Sequence, residues 1–141
     1  MKISEIMHKN PKCVTPDDTL INIAKLMKEG DFGAVIVKEG EKPIGMITDR
    51  DIIVRALANG ENPTNLKAKQ IMTKNLITCH AKDSLEDTAQ KMGSNQIRRL
   101  PVLDEQNQLI GILSLGDIAL SEKGKETGLC FKALEAISKQ H

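Results

Sequence analysis

The sequence predicts an α/β (α+β) protein made of two tandem strand–helix–strand–strand–helix units, with one further helix at the C-terminus. Three observations carry that reading: a long internal repeat, an apolar stripe at helical spacing in each copy, and a pair of short apolar runs after each stripe. The repeat comes first, because a missed duplication miscalls a whole fold. "IMHKNPKCVTPDDTL", Ile6 to Leu20, overlies "IMTKNLITCHAKDSL", Ile71 to Leu85, at an offset of 65 residues. Farther on, Gly45 and Gly111 stand 66 apart, which puts one inserted residue in the second copy, expected between Met92 and Arg99. The chain thus divides into residues 1–64, 65–120 and a 121–141 connector with its helix.

In the first copy, Leu20, Ile23, Ala24 and Met27 follow the i, i+3, i+4, i+7 spacing of a buried helical stripe; Leu85, Thr88, Ala89 and Met92 repeat it. "TPDD" predicts a start for the first helix, with Thr15 as cap and Pro16 in the first turn, while "HAKDS" marks the second start more weakly. The apolar runs "AVIV" and "IGMIT" flank "KEGEKP", and "LPVL" and "LIGIL" flank "DEQNQ", so each pair reads as a hairpin of buried strands. Pro101 falls early in its strand, where a missing N–H is tolerated. "NGENPTNLKAK", Asn59 to Lys69, reads as the linker, and "EKGKETG" as a flexible connector. "LCFKALEAISKQ" then aligns Leu129, Ala133, Leu134 and Ile137 on one stripe, which must bury on its own unit or on a partner subunit. The methionines are expected to fill the core.

Composition narrows the function. At 141 residues, 40% hydrophobic and 28% charged, the chain can bury a core without staples, and one compact body is expected. A formal net charge of +1 exerts no general pull on nucleic acid or anionic lipid. With no Trp, no Tyr and only Phe32 and Phe131, it has no aromatic platform for stacking bases, so nucleic acid is not an expected partner. Three cysteines without a C-x-x-C pair fit a reducing compartment, and no apolar run approaches a membrane span, so the expected location is cytoplasmic. His8, His80, Cys13 and Cys79 lack the tight spacing of zinc ligands, and no metal is expected. The six lysines near the copy starts, Lys9, Lys12, Lys67, Lys69, Lys74 and Lys82, read as solvated surface. Asp49 and Asp51 lie on different faces of a helix and have no nucleophile beside them, so no catalytic residue is assigned and the protein is not expected to be an enzyme.

The chemistry gathers where strand gives way to helix. Thr48-x-x-Asp51 and Ser114-x-x-Asp117 each follow an apolar strand. Such a pair closes a helix start as a capping box and needs no other purpose. The same turn can aim free N–H groups outward as a cradle for phosphate, and an ionised Asp can accept both hydroxyls of a ribose. Apolar "AVIV" and "RLPV" could sandwich a flat base. The parts fit a nucleoside phosphate.

The tandem G-h-h-T/S-x-x-D ends (h, apolar), the "RRLPVLDEQNQLIGIL" stretch and "IM…VTPDDTL" together resemble paired CBS domains, named after cystathionine β-synthase, over about residues 1 to 120. The likeness is to small stand-alone bacterial proteins made of one such pair. The resemblance implies two β-α-β-β-α motifs packed about a pseudo-twofold axis, with a cleft on each side that binds an adenosyl compound: AMP, ADP or ATP first, NAD or S-adenosylmethionine next. No cofactor is required. By the same resemblance Thr48 and Asp51 hold phosphate and ribose in one cleft, and Ser114 and Asp117 in the other. Gly33 and Ala34 join the nucleotide-binding set, with Lys9 and Lys69 from leader segments, Ser4 to Lys9 and Lys69 to Lys74, that cross to the neighbouring copy's cleft. The clefts are expected to differ. Arg50 stands beside Asp51 where Gly116 stands beside Asp117, and Arg98 and Arg99 stand where the first copy has Phe32 and Gly33. Val35 replaces the proline that many members carry. The expectation is a non-enzymatic sensor, a homodimer that signals to an unknown effector protein; the alternative is a ligand-independent protein-interaction module whose T-x-x-D elements only cap helices.

Overall fold

The computed structural model describes residues 2–139. The chain divides into two compact units rather than the one body its length suggests: Pro11–Leu76 forms one, and residues up to Asn10 join those from Ile77 onward in the other. Repeat and compact unit are therefore different divisions of the chain. Each leader segment packs with the copy to which it does not belong in sequence.

In the unit from Pro11, β2 (Cys13–Val14) runs parallel to β3 (Ala34–Glu39), and β3 pairs antiparallel with β4 (Lys42–Thr48). Helix α2 (Leu20–Gly30) lays Leu20, Ile23 and Met27 against Val35, Val37 and Ile47. Beyond β4 come a single helical turn, α3 (Asp49–Asp51), and a π-helical stretch, Ile52–Leu57, that buries Ala56. The expected linker is ordered at its end. A 3₁₀ turn, Pro63–Asn65, leads to buried Leu66, whose carbonyl accepts the Leu20 N–H at 3.0 Å, and α4 (Ala68–Ile71) buries Ala68 and Ile71 in the same core. Thr73 then bridges antiparallel to Met46.

The other unit repeats the plan. Its four-stranded sheet has the order β1 (His8–Lys9), β7 (Leu109–Ser114), β6 (Arg99–Leu103), β5 (Cys79–His80), with only the β5–β6 pair parallel. Helix α1 (Ile3–Ile6) buries Ile3 among Met92, Leu100 and Leu113; α5 (Leu85–Asn95) and α6 (Leu115–Leu120) pack on the same core. Asn10 and Asn75, which recur in register, both take the left-handed conformation at the end of their leaders, a conformation Asn tolerates because its short side chain bonds locally.

Several expectations change. Thr15 is not the first helix cap: its N–H bonds to Asp18 Oδ2 in a turn at 2.9 Å, and Thr19 caps α2 by accepting from the Asn22 N–H. Ser84 does the same for α5. The inserted residue does not lie between Met92 and Arg99. Both helices have 11 residues and end on left-handed Asp31 and Gln96, and the hairpins stay in step from Ala34↔Thr48 and Arg99↔Ser114 to Lys38↔Pro43 and Leu103↔Leu109. The extra residue sits in the β6–β7 turn, where a loop absorbs it at no cost to register. Arg98 and Arg99 therefore correspond to Gly33 and Ala34, not to Phe32 and Gly33, and Pro101 to Ile36, not Val35. "EKGKETG" is no flexible connector: Glu122–Thr127 forms α7, capped by Ser121, with Gly124 so close to the Ile118 carbonyl that a Cβ would not fit.

The C-terminal stripe buries on its own unit only in part, since Leu134 of the expected stripe stays 41% exposed. Helix α8 (Leu129–Ser138) sinks Ala133 and Ile137 against α5, while Phe131 stays 70% exposed. Ile137→Ala is expected to lower stability by about 2–4 kcal/mol and Phe131→Ala by less than about 0.5 kcal/mol. Denaturant unfolding at constant m-value checks this, and equal small losses would mean that α8 is not packed.

Candidate functional site

In the Pro11–Leu76 unit, β4 delivers Thr48 to the start of α3. Thr48 Oγ1 accepts from the Asp51 N–H at 3.2 Å, and Asp51 Oδ2 accepts from the Thr48 N–H at 2.9 Å, a closed capping box. The second carboxylate oxygen, Oδ1, lies 3.7 Å from Arg55 Nε. Arg55 also donates from Nη1 to the Ile71 carbonyl at 3.0 Å, tying this turn to the incoming leader. The remaining first-turn donors are in use: Asp49 N–H bonds to the Gly33 carbonyl at 3.0 Å, and Arg50 N–H to Asp49 Oδ1 at 2.8 Å. The outward cradle of free N–H groups expected here is thus consumed by the protein itself.

The second unit builds the same box from Ser114 and Asp117. Ser114 Oγ accepts from the Asp117 N–H at 3.1 Å, Asp117 Oδ2 accepts from the Ser114 N–H at 2.8 Å, and Leu115 N–H bonds to the Arg98 carbonyl at 2.8 Å. Its free oxygen faces a different neighbour: Asp117 Oδ1 lies 3.0 Å from His8 Nε2.

Glycine lets the leaders reach these turns. A Cβ on Gly111 would stand 2.6 Å from Met7 Sδ and 2.9 Å from the His8 carbonyl oxygen, and one on Gly45 would run into the Met72 thioether. Met7 and Met72 are partly buried and pack against the two cores beside these glycines, and Met27 and Met92 are buried, as expected of core-filling methionines.

Of the residues expected at the sites, the fold gathers Gly33, Ala34, Thr48, Arg50 and Asp51 at one turn and Arg98, Arg99, Ser114 and Asp117 at the other, with Lys9 in register with Gly111. Arg50, Arg98 and Arg99 are exposed, and among the described residues none of them enters an ion pair. Lys69 is engaged elsewhere. Its ammonium lies 3.1 Å from Asp17 Oδ1, and that hydrogen bond, helped by the charges of Lys69 and Lys67, holds the Asp17 carboxyl below the usual carboxylate range. Arg55 could have been found from its i+4 spacing to Asp51. His8 lies in the leader that the family resemblance sends to the other copy's cleft, but no spacing in the sequence pairs it with Asp117.

Two hollows lie away from these turns. One of about 530 Å³ runs between α5 and α8 past Glu86, Gln90, Thr127 and Lys132; the other, about 270 Å³, lies along α2 beside Asp18, Asn22 and Glu29. Neither includes a residue of the capping boxes. Among the described residues no three His, Cys, Asp or Glu side chains converge as metal ligands, and no helix is long and apolar enough to cross a membrane.

A duplicated β-α-β-β-α unit whose copies exchange leaders and end each hairpin on a T/S-x-x-D box defines a tandem-repeat module. A family model, the CBS domain, matches residues 3–57 and 68–123, and the chain belongs to the CBS-domain family. It is 37% identical to the CBS domain-containing protein YhcV of Bacillus subtilis over 139 residues, 99% of this chain and 96% of that one. Hypoxic response protein 1 of Mycobacterium tuberculosis is 34% identical over 116 residues, 82% of this chain and 80% of that protein. A crystal structure of Hypoxic Response Protein I with two coordinated zinc ions superposes with a TM-score of 0.76 at 32% identity, over 84% of this chain and 97% of that one. The CBS domain pair of protein MJ0100, in complex with 5′-methylthioadenosine and S-adenosyl-L-methionine, superposes with a TM-score of 0.74 at 28% identity, covering 84% and 97% of the two chains. The CBS pair is a regulatory module.

The three cysteines are free thiols. Burial, with the Asp83 carboxylate adding to it, pushes the Cys79 thiol up to about 12. At pH 8 it therefore stays protonated, and the thiolate is the reactive form. Cys79 is expected to resist alkylation in the folded protein and to react once the chain is denatured, as mass spectrometry of the labelled peptides would read.

Proposed function

We propose that this protein is a non-enzymatic sensor that binds an adenine nucleotide at each T/S-x-x-D turn and conveys its occupancy to a partner protein. One observation carries the reading. Each capping carboxylate spends a single oxygen on its helix, which leaves Asp51 Oδ1 as an acceptor and Asp117 Oδ1 facing only the exposed His8 side chain, each beside a hydroxyl whose O–H is still free to donate. A ribose hydroxyl suits the carboxylate oxygen and a phosphate oxygen suits the hydroxyl. Arg50 at one turn and Arg99 at the other add cations that can fork onto phosphate. The adenosyl ligands of the MJ0100 pair support AMP, ADP or ATP, with NAD and S-adenosylmethionine as further candidates. A second reading, a ligand-independent interaction module, is favoured by the fact that both capping boxes close with no ligand.

A thermal-shift panel of these five compounds separates the two readings, since a ligand that binds only the folded state raises Tm with its concentration. Asp51→Asn and Asp117→Asn are expected to weaken binding about tenfold at their own turn while keeping the capping box, because the amide oxygen of Asn can still accept the Thr48 or Ser114 N–H. Arg50→Ala and Arg99→Ala are expected to lower the preference for longer phosphate chains, each at its own site. If calorimetry finds every variant binding all five compounds as the parent does, the nucleotide reading is wrong.

We further propose a twofold homodimer, the commonest closed assembly. Ile53 and Leu57 are 57% and 54% exposed on one unit, Phe131 and Leu134 stand outward on the other, and such apolar surface favours association. Sedimentation at micromolar concentration is expected to give twice the chain mass; a monomer throughout would remove the claim.

A further inference from the structure

We propose that His8 is a built-in competitor for the free oxygen of Asp117, so that the Ser114–Asp117 site is gated by its own leader segment while the Thr48–Asp51 site is not. The inference rests on the nucleotide reading above and adds a regulation to it.

Both carboxylate oxygens of Asp117 have a protein neighbour. Oδ2 holds the Ser114 N–H at 2.8 Å, and Oδ1 faces His8 Nε2 at 3.0 Å. A ligand hydroxyl must either share Oδ1 with the imidazole through its other lone pair or displace the ring. It can move: the His8 side chain is 73% exposed, against 11% for Asp117, and its backbone is secured separately by pairing with Ile112. The ring is thus a hinged cover on an anchored strand.

The other unit lacks the device. The residue that corresponds to His8 is Thr73, which bridges to Met46 as His8 pairs with Ile112 and enters no ion pair. Arg55 stays 3.7 Å from Asp51 Oδ1, beyond hydrogen-bond reach, and leaves that oxygen able to accept.

The other charged groups on the elements packed here are Lys2 and Glu5 by α1, Lys9 on β1, Arg98 and Arg99 at β6, and Asp117 on α6; among the described residues only Asp117 forms an ion pair with His8. A phosphate would also meet the arginines of this turn and blur the effect, so adenosine, a diol without a phosphate, is the probe.

Calorimetric titration of the full chain with adenosine, in an Asp51→Asn background that weakens the other turn, tests the gate. His8→Thr, which copies Thr73, is expected to bind adenosine at the Ser114–Asp117 turn about tenfold more tightly than the parent; His8→Gln, a neutral donor, is expected to fall between the two. Equal affinities for the parent and His8→Thr overturn the gate alone. Absence of binding of adenosine, AMP, ADP and ATP to the unsubstituted chain and to His8→Thr overturns the nucleotide reading, and the gate with it.

Discussion

A carboxylate with two oxygens and two demands governs both units. At each strand-to-helix turn the Asp of the T/S-x-x-D box must satisfy the backbone N–H of its capping partner, because an unpaired donor at a buried helix start costs on the order of 1–3 kcal/mol. One oxygen is therefore structural. What the other oxygen meets decides what the turn can do, and here the copies part: Asp51 Oδ1 looks toward Arg55 from its own helix, Asp117 Oδ1 toward His8 from an incoming strand. In the proposed function capping uses one oxygen and binding the other, so a closed box is compatible with a site.

The leaders matter because they turn two similar folds into two different environments. Each comes from the other copy in sequence, so substitutions before a repeat alter the site after its counterpart. Met7 and Met72 keep the same place against Gly111 and Gly45, which preserves the geometry; His8 and Thr73, one residue on, change the chemistry. A backbone frame held by strand pairing and a glycine contact leaves the next side chain free to differ.

The helical faces diverge too. On one unit α8 covers α5 and buries Ala133 and Ile137, and Gly124 packs closely under the Ile118 carbonyl on the way to α8. On the other, the π-helical stretch leaves Ile53 and Leu57 outward with no covering helix among the described residues. A helix added to one copy thus makes the two halves unequal without altering either hairpin.

Much of this was legible in the sequence. The repeat, the two helical stripes, the four hairpin strands and both T/S-x-x-D boxes follow from local periodicity and spacing, which depend on neighbours along the chain and survive in any context. The local errors were ones of placement: Thr15 for Thr19, the inserted residue in a helix–strand segment instead of a turn, and a connector that is a helix. Each arose where two short polar stretches offered equivalent signals and only packing chose between them. The site was half legible. Thr48, Asp51, Ser114 and Asp117 announced themselves, and Arg55 stood at a readable spacing. His8 did not, since it lies more than a hundred residues before Asp117 and meets it only through the pairing of β1 with β7. Sequence alone determined the repeated elements and the groups at their junctions, because hydrogen bonding and side-chain periodicity there are local. The family resemblance already sent each leader to the other copy; tertiary structure decided which leader side chain meets which carboxylate oxygen, because a contact between distant strands is a choice that local preference cannot express.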